Sequence, residues 1–363
     1  MDMGITKQVL ASLPLLVFEH AGRAEEEGAD AASDGKRLMF SLSEQSIYRG
    51  VRPETMASNK DNTLFSTPQG WLLMIIGEIS EAWLWHPLTG ETISLPHIHD
   101  DHFIPANCKC LLTHNSVADP DRAVVLLDVG DPNMWFCRVS GGQWGHHTYQ
   151  IGDDYDDLPE DFADSSPPPP PPATTNIIGN VASVRGKVHF TCIESKQEKM
   201  CIVDLDFPPS HPPTAVEHKF DVPNLEFPQD MCSGKVWLAE SQEELLAVCI
   251  CFLDFNPGHI GTVLVYKMAF SDEDHQIPLG WRRVHSVGDR AFLLSGTNMA
   301  TWCSASAHNL KGNTVYFLKN FRSDDGDLCV YNLQEQTMEI VRVHDQELVL
   351  TRTKPYWINV PPC

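Results

Sequence analysis

The sequence predicts an all-β protein and, within that class, a β-propeller of repeated four-stranded blades. Short apolar runs rich in Val, Ile, Trp, Tyr and Phe recur between turn residues, and no long stripe of helical period crosses the chain. Four of these runs open on glycine, at Gly70, Gly186, Gly234 and Gly312, and a looser copy begins at Cys108. Second runs follow at Trp83, Met200 and Leu328, 13 to 17 residues on, and exit into polar hairpins. A unit of about 40–50 residues fits a propeller blade, whereas a sandwich module takes about 100. The openers are spaced by 38, 78, 48 and 78 residues, so the period is irregular and the two long intervals have room for a degenerate copy.

Taken in order, residues 1–36 read as an N-terminal segment, partly disordered. Its apolar stretch Leu13-Pro14-Leu15-Leu16-Val17-Phe18 is too short and too broken for a secretory signal. Ala21–Gly35, with Glu25, Glu26 and Glu27, has the composition of a solvated loop. The propeller is expected over 37–345, starting with a strand around Arg37–Ser43. Gly70–Ile76 and Trp83–Trp85 are strands, and Pro87-Leu88-Thr89-Gly90-Glu91 is the turn into Ile93-Ser94-Leu95. Ser140–Gly145 lies between strand-like runs and reads as a glycine-rich hairpin. Residues 152–176 join an acidic run, Asp153 to Asp164, to Pro167–Pro172, an extended exposed insertion between blades. Lys187–Phe190, Met200–Leu205, Lys235–Leu238, Thr314–Leu318, Leu328–Leu333 and Met338–Val341 supply further strands, and 346–363 form a tail.

Charge narrows the function. The chain has 26 Lys and Arg against 49 Asp and Glu, a net charge of −23, which repels nucleic-acid phosphate and anionic lipid. No run reaches the 18 or more apolar residues of a membrane helix. The cysteines number eleven and many sit inside apolar strands, so they read as free buried thiols of a reducing compartment, the cytosol, the nucleus or both.

Chemistry-bearing motifs are few. His97, His99 and His102, with Asp100 and Asp101, form the densest set of candidate metal ligands, and His146 and His147 lie elsewhere in the chain. Two histidines at i and i+2 of an extended segment share a face and can reach one ion; an exposed polar loop accounts for the same residues. No nucleophile elbow or phosphate-binding loop occurs, so no catalytic residue, cofactor or metal is expected. Trp83, Trp135, Trp144 and Trp302 are candidate anchors for a partner if exposed and blade packing if not.

The block Gly280-Trp281-Arg282-Arg283-Val284-His285-Ser286-Val287-Gly288-Asp289-Arg290-Ala291-Phe292-Leu293-Leu294 resembles the core of the plant KIB-type β-propeller family, often found behind an F-box. Gly70-Trp71-Leu72, Trp85-His86-Pro87-Leu88-Thr89-Gly90-Glu91 and Gly312–Phe317 match in the same order, over roughly residues 38–345. The resemblance implies a non-enzymatic protein-interaction propeller, like the substrate-recognition part of F-box ubiquitin ligases, whose partner is a ubiquitination target or a kinase. A dozen residues precede Leu13, too few for an F-box, so Skp1 binding is not expected. The alternative is an enzyme or small-molecule-binding propeller with its site at the central channel, using His97, His99 and His146.

Overall fold

The computed structural model describes residues 13–19, 37–49, 62–76, 81–87, 89–98, 104–116, 119–128, 130–149, 180–194, 197–231, 233–271, 277–297, 299–319, 327–343 and 355–359. These fold into six radially arranged sheets, a six-bladed propeller.

Blade I holds β1 (Leu15–Glu19), β2 (Arg37–Ser41) and β3 (Ser46–Arg49). Blade II is β4 (Asn62–Ser66), β5 (Leu72–Ile76), β6 (Glu81–Trp85) and β7 (Thr92–Ser94). Blade III is β8 (Lys109–Leu112), β9 (Ala123–Leu127), β10 (Asn133–Arg138) and β11 (Gly145–Thr148). Blade IV is β12 (Val181–Val184), β13 (Lys187–Glu194), β14 (Gln197–Asp206) and β15 (Thr214–Asp221). Blade V is β16 (Ser233–Ser241), β17 (Glu244–Phe252), β18 (Ile260–Phe270) and β19 (Pro278–Val284). In blades II to V the strands are consecutive and antiparallel, with the first nearest the axis.

Blade VI departs from this plan. It contains β20 (Arg290–Leu294), β21 (Ala300–Ser304), β22 (Thr314–Leu318), β23 (Asp327–Asn332) and β24 (Thr337–Arg342) in the order β21-β20-β22-β23-β24. The chain turns inward from β20 to β21, then passes through a short 3-10 turn at Ser306–His308 to reach β22, which lies parallel to β20.

The last strand, β25 (Tyr356–Ile358), pairs antiparallel with β1 as the innermost strand of blade I. The propeller therefore extends past the expected bounds of 37–345 at both ends, and its first strand precedes Arg37. Leu15, Leu16, Val17 and Phe18 are buried on both faces of that strand, and apolar area of this kind is stable only inside a sheet. Ring closure belongs to β25.

Buried side chains form six clusters among the described residues, each between two successive blades. Leu73 and Val124 face the blade II–III cluster, whereas Leu72 turns to blade I and Val125 to blade IV. Two-sided burial with a side-chain period of two explains the unbroken apolar runs Leu72–Ile76, Ala123–Leu127 and Leu245–Phe252. It also explains why the openers misled on phase. Gly70 and Gly186 precede the second strand of their blades, Gly312 precedes β22, and Gly234 and Cys108 belong to innermost strands or lead into them. The acidic run and Pro167–Pro172 lie outside the described residues.

Candidate functional site

The innermost strands close around the axis through side-chain bonds from blade to blade. Gln69 Oε1 of blade II accepts from the Leu112 amide at 3.0 Å, and Ser183 Oγ donates to the Thr113 carbonyl at 2.9 Å. Asn115 Nδ2 donates to Glu240 Oε2 at 3.1 Å, and Thr301 Oγ1 donates to the Pro68 carbonyl at 2.6 Å. Burial raises the Glu240 carboxyl above its ordinary pKa, against the hydrogen bonds that favour its anion. The axial cavity left between Gln69, Asn115, Ser183, Glu240 and Trp302 measures about 10 Å3, the space of about one water.

The motif Trp85–Glu91 is a turn held by its own side chains. His86 Nδ1 accepts from the Thr89 amide at 3.2 Å and pairs with Thr89 Oγ1 at 3.0 Å, while Gly90, at φ 72°, lets the chain return. Trp71 lies edge-on to the His86 ring, with centroids 4.8 Å apart, and the Arg122 guanidinium stacks over it at 4.6 Å. Burial is the main cause lowering the His86 pKa. The residues that carry the resemblance at this end of the chain thus lock blade II onto blade III.

The described residues include the histidine candidates His97 and His146. His97 is exposed at the rim after β7, and His99 and His102 lie outside the described residues. His146, on the outer strand of blade III, bonds Asn133 Oδ1 at 3.1 Å and lies against Trp135. Among the described residues no three His, Cys, Asp or Glu side chains converge as metal ligands. Trp135, Trp144 and Trp302 are buried in inter-blade clusters, Trp144 donating to the Pro96 carbonyl at 2.7 Å. Trp83 is half-buried on β6.

A groove of about 340 Å3 opens on the outer half of blade V, lined by Pro223, Phe227, Pro228, Tyr266, Trp281 and Arg283 among others. Its wall is the segment 222–228, anchored by buried Val222 and Leu225 and by the Tyr266 hydroxyl, which donates to the Glu226 carbonyl. Two strand glycines let this segment lie close. A Cβ on Gly234 would stand 2.8 Å from Phe227 Cε1, and one on Gly280 would stand 3.3 Å from Pro223 Cδ. Phe227 is exposed, Trp281 half-buried, and Arg283 exposed with no ion pair among the described residues. Sequence reasoning missed this site. The sequence marks both of its glycines, Gly234 as the start of a strand and Gly280 as the start of the family-like block, but not as points of close backbone approach.

Solved structures similar to the chain include the β-propeller domain of Cps50 (Swd1) from Myceliophteria thermophila, at 10% identity and TM-score 0.38, over 86% of this chain and 81% of that one. A nidogen–laminin complex chain matches at 10% identity and TM-score 0.37, over 96% and 99%. A streptogramin B lyase matches at 8% identity and TM-score 0.32, over 80% and 72%. No curated protein matches the chain. The sequence model of the KIB1-4 beta-propeller family matches residues 39–332, which span blades I to VI. With six blades in a closed ring and that match covering most of its length, the chain belongs to the KIB1-4 β-propeller family.

Proposed function

We propose that the chain is a protein-interaction propeller without chemistry of its own, comparable in role to the substrate-recognition part of F-box ubiquitin ligases. It holds a protein, a ubiquitination target or a kinase, at its rim, and acts in the cytosol or the nucleus. The blade V groove is the observation that carries this reading: a preformed aromatic concavity on a rigid frame, where the axial cavity has room for about one water. Free, buried cysteines support a reducing compartment.

The test is cross-linking mass spectrometry with the purified full chain as bait in plant extract, against a propeller of equal charge. A protein retained on this chain alone and cross-linked to the rim supports the reading, and co-recovery of Skp1 and cullin would add ligase assembly to it. Retention of nothing beyond the control overturns it.

A further inference from the structure

Resting on the interaction reading, we propose that the blade V groove takes an extended, proline-bearing peptide with a carboxylate next to its prolines.

Shape and charge argue together. Leu264 and Tyr266 alternate along β18, and Trp281 and Arg283 along β19, so the four line one face. Pro223, Phe227 and Pro228 stand opposite, leaving a channel walled by aromatic rings and proline rings. Aromatic walls receive polyproline-type backbone well, because that conformation is extended before binding and loses little entropy on docking. The channel is built rather than accidental, since a Cβ at Gly234 or Gly280 would crowd the segment that forms its wall.

Charge fixes the rest of the ligand. The chain carries a net −23, yet the mouth of this groove presents the exposed Arg283, with no carboxylate within ion-pair distance of its guanidinium among the described residues. Glu226 also lines the groove but does not pair with Arg283. An exposed guanidinium next to rings favours a planar carboxylate, which it can hold by two parallel hydrogen bonds. A cationic peptide is repelled by Arg283.

The probe is a fluorescein-labelled heptapeptide, glutamate-proline-proline-leucine-proline-proline-glutamate, titrated into the full chain and read by fluorescence anisotropy. Versions with glutamine or lysine in place of glutamate are run beside it. Saturable binding is expected for the glutamate peptide, weaker by about tenfold for the glutamine peptide and absent for the lysine peptide. Arg283→Glu should remove the preference for glutamate, and Trp281→Ala should weaken all binding, with both variants checked for unchanged thermal unfolding. Equal binding of the glutamate and glutamine peptides, or an unaltered preference in Arg283→Glu, overturns the proposal. So does self-association of the full chain in sedimentation that Trp281→Ala abolishes, which gives the groove to a second copy. A partner captured equally well by wild type and both variants leaves the interaction reading standing and sinks this one; peptide binding with no captured partner does the reverse.

Discussion

Asn359 Nδ2 donates to the Trp302 carbonyl at 2.7 Å, tying the chain just after β25 to the innermost strand of blade VI. Trp357 Nε1 makes a parallel tie to the Leu294 carbonyl at 3.1 Å, and the Gly296 amide donates to the Pro355 carbonyl at 3.1 Å. Blade I, shared between the two ends of the chain, is thereby fastened to its neighbour.

Asn359→Ala leaves a buried carbonyl unpaired and should cost about 1–3 kcal/mol, and Trp357→Ala, which also opens a cavity, about 3–5 kcal/mol. Urea unfolding at pH 7 reads both. Equal midpoints for wild type and Trp357→Ala would show that the ring does not depend on this closure.

Thr67 Oγ1 donates to the Trp71 carbonyl at 2.9 Å and accepts from its amide at 3.0 Å. Thr67→Val keeps the shape and removes both bonds, so a loss of about 1–3 kcal/mol is expected. Trp71→Leu should do more, because the ring separates His86 from Arg122. Thermal melts would settle the ranking.

His189 is buried in blade IV, its Nδ1 on the Lys187 carbonyl at 3.1 Å and its ring near Phe270. Burial is the main cause that lowers its pKa from 6.5 to about 4. The unfolded chain therefore binds the proton first as pH falls. Stability from this group is fully present above about pH 6.5 and drains away toward pH 4, by on the order of 2–3 kcal/mol. His189→Leu should show a flatter dependence of the urea midpoint on pH across that window. Parallel curves for the two proteins would assign the acid sensitivity to other groups.

Every described cysteine except Cys108 is buried, and burial pushes the thiols up, Cys303 to about 12 and Cys251 and Cys329 to about 11. Thiolates are the reactive form. Ellman's reagent should consequently react with a minority of the eleven thiols in the native protein and with all of them in guanidinium. Fast reaction of most thiols in buffer would contradict the burial.

Gly234→Ala places a Cβ 2.7 Å from the Ile250 carbonyl oxygen as well as against Phe227. Backbone cannot give way as a flexible side chain can, so a cost of about 1–3 kcal/mol is expected, with Phe227 displaced from the groove. Tryptophan fluorescence of the folded variant would report the change around Trp281.

The inner strands were legible because they are buried on both faces, which writes Leu72–Ile76 or Ala123–Leu127 as continuous apolar runs. Their phase was not, because a glycine before such a run reports burial and not position in a blade. The pairing of β1 with β25 was hidden for a different reason: it joins opposite ends of the chain, and three residues, Tyr356–Ile358, carry no pattern long enough to show. The groove was half-written. Gly234 and Gly280 make room for the segment 222–228, a contact between parts of the chain that no local pattern shows.

The shared blade also sets an order of events during synthesis. Leu15–Phe18 leave the ribosome long before Tyr356–Ile358, the inner partner of their strand. Until those residues emerge, one edge of that strand has nothing to pair with and its apolar side chains lack the packing that Trp357 later provides. The nascent chain must be kept from aggregating over that interval, so yield in a cell should depend on chaperone capacity more steeply than the finished protein's stability suggests.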